Sequence, residues 1–240
     1  MTIRLLVATV LSVAAALGVS AAPAMACGSD GGYSYAGVSA QTHAFGVRAE
    51  VTPLNGFDVV SGHVAGWVGV GGPGQGPGGR DEWLQIGLSG FPGSTTSDVY
   101  YELTVPGANP SYHQLATALP VGRAVRVAVL EMHNRPNWWR VWLNGAPASD
   151  PLHLPGSHDR WSPIATAESW DGGTGGACNG FLYSFKGVSI AGAPGGGWRS
   201  LAQVYDITGP STKLRRADAK GAFLAAEGDT AIRSLSGVRP

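Results

Sequence analysis

Short apolar segments, each closed by a stretch rich in glycine and proline, recur along this sequence and limit the folds open to it. Residues 124–130 alternate most clearly between apolar and polar side chains, and the apolar segment 139–143 ends at Asn144-Gly145, a pair typical of tight turns. Comparable segments occur at residues 47–51, 64–70, 83–88, 99–105, 164–168, 180–185 and 186–190. Many short strands separated by turns predict an all-β protein, a two-sheet antiparallel β-sandwich or jelly roll.

The amino-acid composition agrees with an all-β protein and argues against a nucleic-acid-binding protein. Glycine supplies 37 of the 240 residues, about double its average share. The 16 basic residues balance 16 acidic ones, so the formal net charge is zero. Because proteins that bind the phosphates of nucleic acid need a basic surface, we expect no nucleic-acid partner. A helical periodicity is present only weakly, at residues 216–226.

The N-terminus has the three parts of an export signal. Arg4 provides the positive charge, residues 5–22 are apolar, and residues 24–26 read Ala-Met-Ala, which is typical of a signal-peptidase site. We therefore predict that residues 1–26 are a signal peptide, cleaved after Ala26, and that the protein is secreted. Later segments are interrupted by glycine, proline or charge too often to span a membrane.

The remaining residues, 27–240, are predicted to form a single β-sandwich domain in which residues 199–240 are peripheral, and we expect a monomer. Cys27 and Cys178 are the two cysteines of the chain. Export makes a disulfide between them chemically permissible, and lipid attachment at Cys27 is the alternative. The six histidines are scattered and neither cysteine has other ligands nearby, so we predict no metal and no cofactor.

Two polar side chains within apolar strands are the candidates for chemistry. Glu168 lies in the segment 164–170, and Gln85 lies in the segment 83–88. Burial disfavours the charged form of a carboxyl group and so raises its pKa, which suits a general acid or base. A buried amide needs hydrogen-bond partners, because leaving it unpaired costs roughly 1–3 kcal/mol. The alternative is that each group is simply satisfied by its neighbours.

Four short motifs follow one another along the chain: Gly66-Trp-Val-Gly-Val, Leu84-Gln-Ile-Gly, Tyr100-Tyr-Glu and Ala167-Glu-Ser-Trp. In this order the sequence resembles the glutamic peptidases (eqolisins), which are secreted acid endopeptidases with a concanavalin A-like β-sandwich. The sequence departs from the family pattern in the third motif, where leucine rather than tryptophan follows the glutamate. It departs again in the fourth motif, where a serine separates the glutamate from the tryptophan.

The resemblance implies roles for individual residues. Gln85 and Glu168 would form the catalytic dyad, with Glu168 taking a proton from water and the Gln85 amide stabilising the oxyanion. The reaction would need no metal and would favour acid pH, and the substrate would be a polypeptide. The substrate-binding positions are Trp67, Tyr101, Glu102 and Trp170.

Three other functions are open on the residues alone. The first is carbohydrate binding without catalysis, as in lectins, through tryptophans that stack on sugar rings: Trp138, Trp139, Trp142, Trp161, Trp170 and Trp198. Of these, Trp142 and Trp170 fall in strand patterns and are expected to pack in the core. The second is a glycosidase, which would use Glu168 and Glu102 as carboxylates about 5 to 10 Å apart. The third is a structural protein, in which Gln85 and Glu168 are apart or sealed by packing.

Overall fold

The computed structural model describes residues 32–173, 178–201, 203–217 and 221–238. The predicted signal peptide and Cys27 lie outside these ranges. Within them, the structure contains no helix that is long and apolar enough to cross a membrane.

Strands make up most of the described chain. In chain order they are β1 (Tyr33–Ala40), β2 (Gly46–Pro53), β3 (His63–Gly72), β4 (Glu82–Gly90), β5 (Ser97–Thr104), β6 (Ser111–Leu119), β7 (Val125–Glu131), β8 (Trp138–Leu143), β9 (Ala146–Pro147), β10 (Leu152–His153), β11 (Ile164–Trp170), β12 (Phe181–Ala193), β13 (Gly196–Ser200), β14 (Val204–Thr208), β15 (Thr212–Arg216) and β16 (Phe223–Glu227). A short 3-10 turn covers Pro77–Gly79, and a short helix, α1 (Asp229–Ser234), follows β16.

The strands form two sheets, and the paired strands are antiparallel. The first sheet has the order β14-β1-β11-β3-β4-β5-β6. The second has the order β10-β8-β7-β2-β12-β16-β15, with β13 paired to β12 and β9 paired to β8. The predicted all-β, two-sheet antiparallel sandwich is therefore confirmed.

The core lies between the two sheets and takes alternate side chains from their strands. On β4 of the first sheet, Leu84, Ile86 and Leu88 are fully buried in it. The second sheet contributes large aromatic side chains, among them Phe181, Tyr183, Phe185 and Phe223. Because neighbouring residues on a strand point to opposite faces, Gln85, between Leu84 and Ile86, is directed to the outer face.

The hairpin predicted from residues 124–130 and 139–143 is present. β7 and β8 pair with Val127 opposite Leu143. The turn after β8 also matches its sequence, since Asn144 and Gly145 both have positive φ, 52° and 88°. This is the conformation of the type I′ turns that suit the twist of a hairpin.

Strand β12 corrects the predicted pattern at one point. The sequence predicts separate segments at 180–185 and 186–190, but the structure has one strand of 13 residues. Its register against β2 shifts between Lys186 and Ser189, where Gly187 has a φ of 59°. A β-bulge of this kind bends a strand and accommodates extra residues without ending it.

The C-terminal segment differs in part from its prediction. The weak helical periodicity at 216–226 overlaps most of β16, whose side chains are all buried. A short, fully buried apolar run has no alternation, so its period is ambiguous. Residues 199–240 are not peripheral throughout, since β16 lies between β12 and β15 inside the second sheet. The helix is α1, which packs with Leu182, Leu224 and Ala226 on the outer face of that sheet.

Candidate active site

A cleft of about 550 Å³ lies on the outer face of the first sheet, where β11, β3, β4 and β5 run side by side. Its walls carry aromatic, amide and carboxyl side chains. The lining includes Tyr33, Tyr35, His63, Trp67, Trp83, Gln85, Glu102, Ile164, Thr166 and Glu168. Both members of the predicted dyad are therefore on this cleft.

Strand register explains why residues far apart in the sequence share the cleft. Residues that lie directly opposite one another on β11, β3, β4 and β5 form rows across the sheet. In strand order, the first row is Glu168–Ala65–Ser89, the middle row is Thr166–Trp67–Gly87–Tyr100, and the third row is Ile164–Gly69–Gln85–Glu102. Gln85 and Glu168 lie two strands and two rows apart, which on a flat sheet separates their α-carbons by about 16 Å. The middle row, with Trp67 and Tyr100, lies between them.

Gln85 is held by a tyrosine of the middle row. It is 8% exposed, and its Nε2 donates a hydrogen bond to Tyr100 Oη at 3.1 Å. Burial raises the pKa of Tyr100 well above its usual value, and the charges of Glu168 and Glu102 add to this rise. The Tyr100 hydroxyl therefore stays protonated at acid and neutral pH. Because an amide nitrogen carries two N–H groups, Gln85 keeps a second donor for a ligand.

Glu168 is paired with a histidine that sequence reasoning did not single out. Glu168 is 6% exposed, and its Oε1 lies 3.2 Å from His63 Nε2. The His63 ring packs on Trp170, with ring centroids 5.7 Å apart. Asn179 Nδ2 donates hydrogen bonds to Ser169 Oγ and to the Trp170 carbonyl, which supports this end of β11. The Glu168 carboxylate is therefore held in a defined orientation.

Glu102 is a second carboxyl group in the cleft, directly opposite Gln85 in the pairing of β4 and β5. Its Oε1 accepts a hydrogen bond from Trp83 Nε1 at 2.9 Å. Burial raises the pKa of Glu102, and the bond from Trp83 opposes that rise. The negative charge of Glu168 raises the pKa of Glu102 further, whereas His63 lowers it. Glu102 therefore takes up its proton at a higher pH than an ordinary glutamate.

Two glycines make room for Trp67 in the middle row. A Cβ at Gly69 would lie 3.1 Å from Trp67 Cζ3 and 2.9 Å from Gln85 Cβ. A Cβ at Gly87 would lie 2.6 Å from Trp67 Cβ. The glycines of the Trp-Val-Gly and Gln-Ile-Gly motifs thus allow the indole to lie close to the sheet beside Gln85.

Two residues predicted to bind substrate lie away from the cleft. Tyr101 faces the other side of β5, where its ring stacks on His113 at 4.4 Å between centroids and packs against the main core. Because adjacent strand residues point to opposite faces, Glu102 reaches the cleft and Tyr101 does not. Trp170 ends β11 beyond the cleft lining and packs on His63.

Sequence reasoning missed Tyr100 and His63 as parts of this site. A signal for Tyr100 was available, since it stands two residues before Glu102 on a strand and must share its face. His63 carried no such signal. It meets Glu168, 105 residues further along the chain, through the pairing of β3 with β11.

The predicted disulfide is tested only at one end. Cys178 is described and does not carry a free thiol. Cys27 lies outside the described residues, so its pairing with Cys178 stays a prediction. Among the described residues, no group of three or more His, Cys, Asp or Glu side chains is arranged to hold a metal ion.

Of the six tryptophans considered for sugar binding, two are fully buried and four are half-buried: Trp138, Trp142, Trp170 and Trp198. Trp139 and Trp161 are 1% and 2% exposed and cannot stack on a ligand. Trp142 and Trp170, expected in the core, are instead half-buried. Trp142 occupies the outward position of β8, because its neighbour Val141 takes the inward one.

Comparison with known proteins supports the fold without establishing a family. No protein-family model matches the sequence, and no curated protein matches it. Scytalido-glutamic peptidase, solved with a peptide-based transition-state analogue, is 16% identical, with a TM-score of 0.56 over 82% of this chain and 98% of that chain. SCP-B, a member of the eqolisin family solved with the tripeptide Ala-Ile-His, is 14% identical, with a TM-score of 0.52 over the same shares. This likeness shows a glutamic-peptidase-like β-sandwich fold.

Proposed function

We propose that this protein is a secreted, acid-acting endopeptidase in which Gln85 and Glu168 hydrolyse peptide bonds. The observation that carries the proposal is that both side chains line one cleft of a glutamic-peptidase-like fold. The predicted signal peptide supports secretion. Both groups are nearly buried yet open to a ligand in the cleft, as a catalytic pair requires.

The proposed reaction needs only water as co-substrate. The Glu168 carboxylate takes a proton from a water molecule, and the water oxygen attacks the carbonyl carbon of the scissile peptide bond. The Gln85 N–H that is not bound to Tyr100 donates to the developing oxyanion, an interaction worth about 3 kcal/mol in comparable sites. Glu168 then passes its proton to the leaving nitrogen as the C–N bond breaks.

The neighbours of the dyad support this division of roles. Because Gln85 and Glu168 lie two rows apart, the reacting carbonyl group would lie over the middle row, between them. Tyr100 holds the Gln85 amide at 3.1 Å, and His63 contacts the Glu168 carboxylate at 3.2 Å. Side chains held in this way lose less entropy when they reach the reactive geometry.

The raised pKa of Glu102 favours catalysis at acid pH. Protonation of Glu102 removes a negative charge from the cleft, and this occurs at a higher pH than for an ordinary glutamate. The cleft would then hold fewer repelling charges around Glu168. Aromatic walls, including Trp67 and Trp83, offer apolar surface for the side chains of a bound polypeptide.

Cleavage of an unfolded protein substrate, measured from acid to neutral pH, tests the proposal. We expect cleavage at acid pH by the wild type and about a hundredfold lower kcat in Gln85→Ala and in Glu168→Gln. Tyr101→Phe, on the opposite face of β5, is the matched control and should keep full activity. Absence of cleavage by the folded wild type at every pH, or full activity in either dyad variant, would overturn the proposal.

A glycosidase is the second candidate, because Glu102 and Glu168 line the same cleft and the pKa of Glu102 is raised. Glycosidases use one protonated and one ionised carboxyl group. Gln85 distinguishes the two candidate functions, because the peptidase needs its amide and a glycosidase does not. Release of reducing sugar that is lost in Glu102→Gln and in Glu168→Gln, but not in Gln85→Ala, would favour the glycosidase.

A further inference from the structure

A groove of about 670 Å³ lies on the outer face of the second sheet, on the side of the sandwich away from the cleft. It is formed by β8, β7, β2 and β12, with β13 at its edge. Helix α1 covers a different part of this face, where it packs with Leu182, Leu224 and Ala226. The groove carries charged side chains and aromatic rings together.

Two tryptophans flank the groove at opposite edges. Trp142 on β8 and Trp198 on β13 are both half-buried and both line it. Between them, Ala128 on β7 lies directly opposite Trp142, and Arg48 on β2 lies directly opposite Ala128. Trp142 and Trp198 are four strands apart, or about 19 Å at the usual strand spacing. This span suits an extended chain with several rings rather than a single small molecule.

Three cations lie on the floor of the groove. Arg48, Arg126 and Lys186 are exposed and line it, and none takes part in an ion pair among the described residues. The Arg48 guanidinium lies over the Trp198 ring, 4.6 Å from its centroid. Stacking of this kind holds the planar guanidinium in place, so its N–H groups are oriented for a carboxylate.

The groove also contains an acid. Glu50 stands between Arg126 and Lys186 in the strand register. A carboxylate in this position accepts hydrogen bonds from hydroxyl groups but repels a closely spaced row of phosphates. A chain with both hydroxyls and well-separated negative charges therefore fits the groove better than a nucleic acid does.

We propose that this groove binds an acidic polysaccharide, a chain of sugar rings of which some carry carboxylates. The tryptophans would stack on the apolar faces of sugar rings. The unpaired cations would bind the sugar carboxylates, with Arg48 able to form two parallel hydrogen bonds. Glu50 would accept hydrogen bonds from ring hydroxyls. The site is independent of the cleft, because it lies on the other sheet.

Calorimetric titration of the whole protein with polygalacturonate oligomers tests this proposal, with glucose oligomers of equal length as the neutral comparison. We expect binding of the acidic oligomers alone and a fall in affinity of about tenfold in Arg48→Gln and in Trp142→Ala. Lys213→Gln is the matched control, because Lys213 is an exposed cation on β15 outside the groove. Its affinity should equal that of the wild type.

Four results would overturn the proposal. These are no binding of polygalacturonate, equal affinity for the neutral oligomers, unchanged affinity in both groove variants, and an equal loss of affinity in Lys213→Gln. Tighter binding of single-stranded DNA would identify the groove as a nucleic-acid site instead. Thermal unfolding of each variant separates a loss of binding from a loss of folding.

Discussion

At the residue scale, the polar groups of the cleft depend on single, identifiable neighbours. Gln85 donates to Tyr100, and Glu168 contacts His63. Leaving such buried groups unpaired would cost roughly 1–3 kcal/mol each, so both contacts contribute to stability as well as to orientation. The two neighbours are therefore positions where a small change in one side chain should alter the behaviour of another.

Tyr100→Phe should disorder the Gln85 amide without removing it. The variant deletes the oxygen that accepts the Gln85 hydrogen bond, so we expect kcat to fall about fivefold with little change in KM, and the free energy of unfolding to fall by about 1 kcal/mol. Steady-state peptidase kinetics and denaturant titration measure these effects. Tyr101→Phe is the matched control, since it alters the adjacent tyrosine on the other face. A loss of stability with unchanged kcat would contradict a positioning role for Tyr100.

At the element scale, the site depends on how closely β3 and β4 approach each other. Trp67 needs space above both strands, and Gly69 and Gly87 provide it by lacking side chains. The alternation that buries Leu84 places Gln85 on the cleft face of β4. The Trp-Val-Gly and Gln-Ile-Gly motifs thus supply both the cleft side chains Trp67 and Gln85 and the glycines that leave space for them.

Gly69→Ala should displace the dyad amide. The new Cβ would lie 2.9 Å from Gln85 Cβ and 3.1 Å from Trp67 Cζ3, so both side chains must move. We expect a loss of most peptidase activity and a decrease of about 1–3 kcal/mol in the free energy of unfolding. Gly56→Ala is the control, because a Cβ there meets no atom within 4 Å. Equal kcat in the two variants would show that the close approach at Gly69 has no part in the site.

The elements also show where prediction from sequence succeeds and fails. The β7–β8 hairpin and its Asn144-Gly145 turn were predicted because their signals are local. The continuity of β12 was not, because its bulge depends on pairing with β2. β16 was not predicted as a strand, because a strand buried on both faces has no alternation. Trp142 was expected in the core, but a strand pattern alone does not say which of its two faces is inside.

At the scale of the whole molecule, one buried carboxyl group links stability to pH. Glu82 opens β4, is fully buried, and has no hydrogen-bond partner for either oxygen among the described residues. Burial raises its pKa to about 7. A Cβ at Gly76 would lie 3.0 Å from Glu82 Oε2, so the group lies under the loop between β3 and β4. That loop also supplies Pro73 and Gln75 to the cleft.

Glu82 should make the protein more stable at acid pH. Between the ordinary pKa of 4.5 and the raised value of about 7, the folded state holds a proton that the unfolded chain has released. This contribution is complete below pH 4.5 and is lost as the pH rises through about 7, so it lowers the free energy of unfolding across that window. Glu82→Gln should remove this decrease in the free energy of unfolding with rising pH. It should also raise the free energy of unfolding at neutral pH by roughly 1–3 kcal/mol.

Denaturant titration of the wild type and Glu82→Gln at several pH values measures this difference. Asp229→Asn is the control, since the Asp229 side chain is 91% exposed. This variant should leave the pH dependence of the free energy of unfolding unchanged. Parallel curves for the wild type and Glu82→Gln would show that Glu82 does not bind an additional proton in the folded state.

The sequence by itself determined the properties that depend on near neighbours along the chain. A strand alternates with a period of two, so a strand over 83–88 puts Gln85 on the opposite face from Leu84 and Ile86 without saying which face is inside, and the recurrence of short strands predicted a two-sheet sandwich. Tertiary structure decided which strands lie side by side. That choice brings His63 to Glu168 and Tyr100 to Gln85, and it leaves Trp142 and Arg48 together on the opposite face. The reason is physical: strand pairing joins residues distant in sequence, and its energy comes from the packing of whole sheets rather than from any local pattern.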